Sequence, residues 1–138
     1  MTTVPESASK TKVRVLLADD SPIVRQSLRG ELQQASWLEI VAEADNSQDV
    51  ITLFFQLRPD VVVLSTCLRG QGGFEVLRCI KRAFADCVAI LTSRQPDCFI
   101  KEAGRLLGAA AVCCISDRPT QLLKLLRRST DRGSDSCC

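Results

Sequence analysis

Two short stretches carry the residue types that could do chemistry. Ala18-Asp19-Asp20-Ser21-Pro22 sets adjacent carboxylates directly before a Ser-Pro helix start. Such a pair repels phosphate and favours a hard cation with oxygen ligands and retained waters, as Mg2+ prefers. Flavin and dinucleotide sites place glycines or hydroxyls at that turn, so that backbone N–H groups can hold phosphate. The second stretch is DVVVLSTCLRGQGGFEVL from Asp60, where an apolar run ends in Ser65, Thr66 and Cys67. A serine nucleophile needs a base, and the chain has 0 histidines, so a Ser-His arrangement is impossible. Leu64-Ser65-Thr66 is not a G-x-S-x-G elbow. Arg69-Gly70-Gln71-Gly72-Gly73 lacks the Lys-Ser/Thr ending of a phosphate-binding loop. Its glycines read as a sharp turn in which positive φ is allowed.

Cysteine is the other reactive type. The 8 cysteines are Cys67, Cys79, Cys87, Cys98, Cys113, Cys114, Cys137 and Cys138. No C-x-x-C pair occurs, which argues against zinc. They read as free thiols, most of them buried as small hydrophobes, with the Cys137-Cys138 pair exposed on a polar tail. A cysteine-based redox or metal sensor would use Cys67, Cys98 or that tail pair, because reactivity requires an exposed thiolate near positive charge. A net charge of +2 is too small and too dispersed to predict nucleic-acid binding. No secretory h-region or membrane-spanning apolar run is visible, so a soluble cytoplasmic chain is expected. At 138 residues the length suits one domain with one real core.

The elements that must position these residues alternate. VRVLLA from Val13, LEIVAEA from Leu38, DVVVLS from Asp60, VAILTS from Val88 and AAAVCCIS from Ala109 read as strands. Near-continuous apolar runs of this kind are covered on both faces. Between them lie amphipathic helices. The first is opened by Ser21-Pro22 and carries Ile23, Val24, Leu28 and Leu32; the second starts at Asn46 or Ser47 and ends at Arg58-Pro59. The third runs from about Phe74, the fourth passes through Phe99, Ile100, Ala103 and Leu107, and the last starts near Pro119 with Leu122, Leu123, Leu125 and Leu126. Residues 1–11 and 130–138 read as tails around a domain over 12–129. This alternation predicts an α/β domain whose parallel sheet is wrapped on both faces, with functional residues beyond the carboxyl ends of its strands. The residues at those ends are Asp19 and Asp20, Asn46, Ser65 to Cys67, Thr92 to Arg94, and Ile115 to Asp117.

VRVLLADDSPIVRQSLRGEL, EIVAEADNSQDVI, RPDVVVLSTCLRGQGGFEVLRCIK, AILTS and LLGAAAV together resemble the receiver domain of two-component response regulators, in the NarL-type flavour. The likeness runs from about Val13 to Leu126. It implies a flavodoxin-like, doubly wound five-stranded sheet of order 2-1-3-4-5 with five helices. Receivers use an acidic pair, a phosphoacceptor Asp ending strand three, a Thr or Ser ending strand four, a Lys ending strand five, and Mg2+. The resemblance puts the acidic pair on Asp19 and Asp20, the switch hydroxyl on Thr92 and the loop glycine on Gly73. The acceptor falls on Ser65. The Met-Pro after it falls on Leu68-Arg69, and the Lys on Ile115, or on Ser116 with a one-residue slip. The strand-five aromatic falls on Val112.

A serine hydroxyl is not ionised near neutrality, and losing the third carboxylate leaves any Mg2+ weakly held. Such a metal would rest on Asp20, with Asp19 and the Cys67 carbonyl as further candidates. With the Lys gone, Arg69 or Arg94 is expected to pair with the acidic residues as a fixed cation. The resemblance thus implies a pseudo-receiver with no catalytic residue and no cofactor beyond weak Mg2+, signalling through protein contacts and not as an enzyme. The alternatives are a receiver phosphorylated on a non-standard acceptor, and the cysteine-based sensor. The expected contact surface for a partner or second copy is the face of helix four, strand five and helix five, carrying Val112, Leu122, Leu123 and Leu126. The faces of helices one and five are the other option. No nucleic acid or membrane partner is expected. No DNA-binding output domain is expected after the last helix, which leaves a stand-alone adaptor or a piece of a longer chain.

Overall fold

Five strands alternate with five helices in the computed structural model, which describes residues 12–95, 97–115 and 120–130. In chain order they are β1 (Val13–Ala18), α1 (Pro22–Leu32), β2 (Leu38–Ala44), α2 (Ser47–Leu57), β3 (Val61–Ser65), α3 (Gly73–Ala83), β4 (Val88–Ser93), α4 (Cys98–Leu106), β5 (Ala111–Cys114) and α5 (Thr120–Thr130). The strands form one parallel sheet of order β2-β1-β3-β4-β5. The expected doubly wound architecture is therefore present. Thr130, expected to open the C-terminal tail, is the last residue of α5; residues 1–11 and 131–138, together with Ser116, Asp117 and Pro119, lie outside the described residues.

Burial on both faces explains the unbroken apolar runs of the central strands. Side chains alternate between the faces along a strand. Leu16, Ala18, Val62, Leu64, Ala89 and Leu91 pack in one cluster with Val50 and Phe54 of α2 and Val76, Leu77 and Ile80 of α3. Val15, Leu17, Val61, Val63, Ile90 and Cys113 pack in the other with Leu28 and Leu32 of α1 and Leu122 and Leu126 of α5.

Caps set where the helices begin. The Ser21 hydroxyl accepts from the Val24 N–H, Asn46 accepts from Asp49, and Asp97 accepts from Ile100, each satisfying a first-turn donor that has no helical partner. α3 begins without a side-chain cap, behind Gly72 at φ +86°. A Cβ on Gly73 would collide with the Ser65 carbonyl oxygen. Only glycine lets the start of α3 pass this close to the end of β3.

Several apolar residues sit elsewhere than their helical spacing suggests. Leu122 and Leu126, expected on an interaction face, are core residues, because their i,i+4 stripe packs against the sheet. Leu123 and Val112 are partly buried against the two clusters. Conversely, Ile23 and Phe99 are both 78% exposed, and Leu106 is 70% exposed. The reason on α4 is Gly104, the buried residue of that helix. A Cβ there would come to 2.9 Å from Leu91 Cδ1 and 3.0 Å from Val112 Cγ2. The helix thus rests on the sheet through its smallest side chain, and Phe99 and Leu106 are left outside. Cysteine burial also departs from expectation. Among the described residues Cys67, Cys79 and Cys98 are exposed, Cys114 is half-buried, and Cys87 and Cys113 are buried. Cys79, for instance, lies between the inward positions Leu77 and Ile80 of α3. No helix among the described residues is long and apolar enough to cross a membrane.

Candidate functional site

Strand register brings the sequence candidates to one level. Ala18 pairs with Leu64, so Asp19 follows at the level of Ser65; Ser65 pairs with Thr92, and Thr92 with Cys113. Past this edge opens a cleft of about 620 Å³, lined by Asp19, Asp20, Ser65, Cys67, Arg94 and Ile115 among others. Eight of the strand-end residues marked from sequence, Thr66 and Ser93 among them, therefore share one cavity.

Asp19 is buried. Its Oδ1 accepts from the Ser21 N–H at 2.8 Å, while Oδ2 has no hydrogen-bond partner. Burial pushes its carboxyl above the usual carboxylate range. The Ser21 N–H opposes that shift, the Asp20 charge adds to it, and the positive charges of Arg25 and Arg94 oppose it. Asp20 is half-buried in the same wall.

Ser65 is buried, and its Oγ accepts from the Cys67 N–H at 3.0 Å. That bond belongs to the tight turn leaving β3. Thr92 is buried too, with Oγ1 at 3.5 Å from the Leu64 carbonyl oxygen that accepts from it. It is level with Ser65 but is not one of the cleft-lining residues, whereas its neighbour Ser93 is. Ile115 continues the β4–β5 pairing through its N–H to the Ser93 carbonyl at 3.0 Å, and presents an apolar side chain at the lysine position suggested by the likeness.

The two candidate cations part company. Arg94 lines the cleft. Arg69 does not. Its carbonyl accepts from the Ser47 N–H at 2.9 Å, which draws the loop toward α2, and the residue borders a separate depression with Asn46, Gln71 and Cys79. The expectation that Arg69 serves the acidic pair is therefore corrected. No ion pair joins either arginine to Asp19 or Asp20 among the described residues.

Sequence reasoning missed Arg25. Its Nη1 donates to the Asp19 carbonyl at 2.8 Å, and its Nε to Glu43 at 3.3 Å. Arg29 donates to the same Glu43 at 2.6 and 3.0 Å, and the two arginines hold that carboxyl below its ordinary range. Asp97 was also missed, although a Pro-Asp pair before a helical pattern is a legible cap signal; it lines the cleft beside Ile100. Asn46 acts as a cap and sits outside the cleft.

The fit to Mg2+ is incomplete. Asp19 Oδ1, one Asp97 oxygen and Ser65 Oγ each already accept a backbone N–H. No group of three or more acidic, cysteine or histidine residues among the described residues could hold a metal ion. The thiols offer little more. Burial pushes Cys87 up to about 11, so it stays a neutral thiol. Cys67 is exposed at the cleft.

A parallel sheet of this order, with an acidic cleft past its carboxyl edge, defines a flavodoxin-like α/β domain. Residues 15–127 match the model of the response regulator receiver domain, and the chain belongs to that family. It is 29% identical over 120 residues to the uncharacterized transcriptional regulatory protein YxjL of Bacillus subtilis, covering 86% of this chain and 55% of that protein. It is 33% identical over 100 residues to the response regulator GacA of Pseudomonas aeruginosa, covering 72% of this chain and 45% of that one. The chain thus spans about half the length of these curated relatives. A LuxR-family two-component response regulator from Aurantimonas sp. SI85-9A1 superposes with a TM-score of 0.81 at 26% identity, over 85% of this chain and 84% of that one.

Proposed function

We propose that this receiver domain is a pseudo-receiver: it signals through protein contacts, with Ser65 standing where receivers carry the phosphoacceptor aspartate. The observation that carries this reading is Ser65 itself, a buried hydroxyl at the end of β3 engaged by the Cys67 N–H. A hydroxyl becomes a phosphoryl acceptor only when a base takes its proton, and no side chain among the described residues hydrogen-bonds Ser65 Oγ. Ile115 adds to the case. A fixed cation at that wall would stabilise charge on a transferring phosphoryl group, and losing one such donor typically costs about 10²–10³ in rate.

In this reading the domain is not an enzyme, and its contact surface is the outer side of α4. Phe99 and Leu106 stand two turns apart there and are both exposed. A protein partner or a second copy would cover them. Incubation with acetyl phosphate and Mg2+, followed by intact-mass measurement, tests the reading: the expected result is an unmodified chain. A stable phosphoryl adduct on any residue would overturn it in favour of a receiver with a non-standard acceptor.

A further inference from the structure

We infer that the pocket at the amino edge of the sheet, between the ends of α2 and α3, is a binding site for a neutral aromatic ring carrying a hydrogen-bond donor, of the phenol or indole class. It lies at the opposite end of the strands from the Asp19 cleft: Asp60 precedes β3, and Asp86 and Cys87 precede β4. The pocket has a volume of about 220 Å³ and is lined by Phe54, Arg58, Asp60, Phe84 and Asp86 among others. A cavity of about 150 Å³ already accepts one benzene ring. The Phe54 and Phe84 ring centroids stand 5.3 Å apart, and Phe55, 47% exposed, meets the Phe84 ring at 5.2 Å. Aromatic pairs gain beyond the area they bury, so this lining favours a further ring over an aliphatic group.

The rim is held in place. Arg58 has φ +49°, the one positive φ at a non-glycine residue among the described residues, and its guanidinium lies 4.3 Å over the Phe84 ring. Arg14 Nη1 fixes that turn by donating to the Leu57 and Arg58 carbonyls at 2.8 and 3.0 Å. A residue with a Cβ is uncommon in this region, and such strain gathers at ligand clamps. Charges of both signs surround the pocket. Arg58, Asp60 and Asp86 line it, and the charge of Lys81 reaches Cys87. An ion of either sign meets a like charge there, at a cost that a neutral ring avoids. The Lys81 ammonium already donates to the Ala85 and Cys87 carbonyls, and Asp60 accepts from the Arg14 N–H. Asp86 is exposed, and no hydrogen bond or ion pair among the described residues engages it. Its carboxylate is the acceptor for the ring's O–H or N–H. A free phenol or indole and a tyrosine or tryptophan side chain of a partner share this chemistry. The inference is independent of the proposed signalling role, and its test uses no phosphoryl donor.

The experiment titrates the full 138-residue chain with p-cresol near neutral pH and follows backbone amides by NMR. Cyclohexanol has the donor without the ring, and toluene has the ring without the donor. Benzoate and benzylammonium carry the ring with a charge. Saturable shifts at Asp60, Phe84, Asp86 and Cys87 are expected with p-cresol, at a concentration about tenfold below that needed by any of these controls. No saturation overturns the site. A control that binds as tightly as p-cresol also overturns it, and identifies the ring, the donor or the neutrality as wrongly assigned.

Asp86→Ala changes an exposed residue and is expected to weaken p-cresol binding by about tenfold while leaving toluene unchanged, as loss of a hydrogen bond to a charged group does. Equal p-cresol affinity in this variant overturns the inference. Phe84→Leu is the second check, because it keeps an apolar side chain and removes the ring. It should weaken p-cresol about fivefold and leave cyclohexanol unchanged; unchanged p-cresol binding overturns the inference. N-acetyltyrosinamide binding more tightly than p-cresol assigns the ring to a partner's side chain. Equal or weaker binding assigns it to a free small molecule.

Discussion

Asp19 and Glu31 have the same local description and different surroundings. Each is a buried carboxylate with one oxygen accepting a backbone N–H and the other unpartnered: Asp19 from Ser21 at 2.8 Å, Glu31 from Leu123 at 3.4 Å. Asp19 lies at the carboxyl edge of the sheet in the wall of a cleft, and the charges of Arg25 and Arg94 act on it. Glu31 lies on α1 against α5, beside the cluster that buries Leu28, Leu32, Leu122 and Leu126. Burial raises its carboxyl to about 7, opposed only by the Leu123 N–H. At the edge of the sheet the charge of a buried carboxylate is thus balanced by neighbouring arginines. Between two packed helices it is a stability term.

The largest expected effect tests the Glu31 half of that contrast. The unfolded carboxyl ionises near 4.5 and the folded one near 7. Below pH 4.5 both are neutral. Between 4.5 and 7 the unfolded chain releases a proton that the folded chain keeps, so stability falls as pH rises and levels off above 7. Urea unfolding should show this residue removing about 2 kcal/mol between pH 5 and pH 8. Glu31→Gln should flatten that interval and gain most at pH 8. Parallel pH curves for the two proteins would mean that Glu31 is not the buried acid assigned to it.

The next effect acts at the cleft. Ser65→Asp places a carboxylate at the level of Asp19, where burial and Asp20 already oppose ionisation. Like charges in one site raise each other's pKa. The variant should lose about 1–2 kcal/mol without divalent cation and regain most of it in MgCl2, whereas the parent protein should respond little to the salt. Calorimetric melting with and without MgCl2 measures both. A variant as stable as its parent in the absence of Mg2+ would show that Ser65 does not face the same charge environment as Asp19.

Much of this contrast was legible in the sequence, and the missing parts have physical causes. Five apolar runs at regular pitch announce a sheet covered on both faces, and Asp19, Asp20 and Ser65 stand at its strand ends because polar side chains there reach solvent or ligand. Arg25 is different. It bonds the Asp19 carbonyl and Glu43 on β2, eighteen residues later, and nothing local in the sequence links an arginine on a helix to a neighbouring strand. Leu122 and Leu126, expected on a contact face, pack into the core instead. How many leucines a helix buries depends on how closely it approaches its neighbours. α4 shows the converse, since Gly104 lowers that helix onto the sheet by one face and leaves Phe99 outside. Glu31 reads as a surface residue in an amphipathic pattern until α5 is laid over it.

The smallest effect asks whether the two carboxylates are independent. Arg25 reaches both the Asp19 carbonyl and Glu43, while Arg29 holds Glu43 without it. Arg25→Met keeps most of the apolar stem and removes the charge, so the expected loss is about 1 kcal/mol near pH 8. Because that charge favours ionised Asp19 and ionised Glu43, the loss should shrink as the pH falls and the two carboxylates take up their protons. No charged group among the described residues shifts Glu31, so its own decline with rising pH should be the same in the variant and the parent. Subtracting the two urea-derived stability curves isolates the part that Arg25 plays at Asp19 and Glu43 together. A difference that is the same in the Glu31→Gln background keeps the edge carboxylate and the interhelical carboxylate as separate devices. A difference that changes when Glu31 is replaced would show α1 transmitting between them, and the two carboxylates would not be separate.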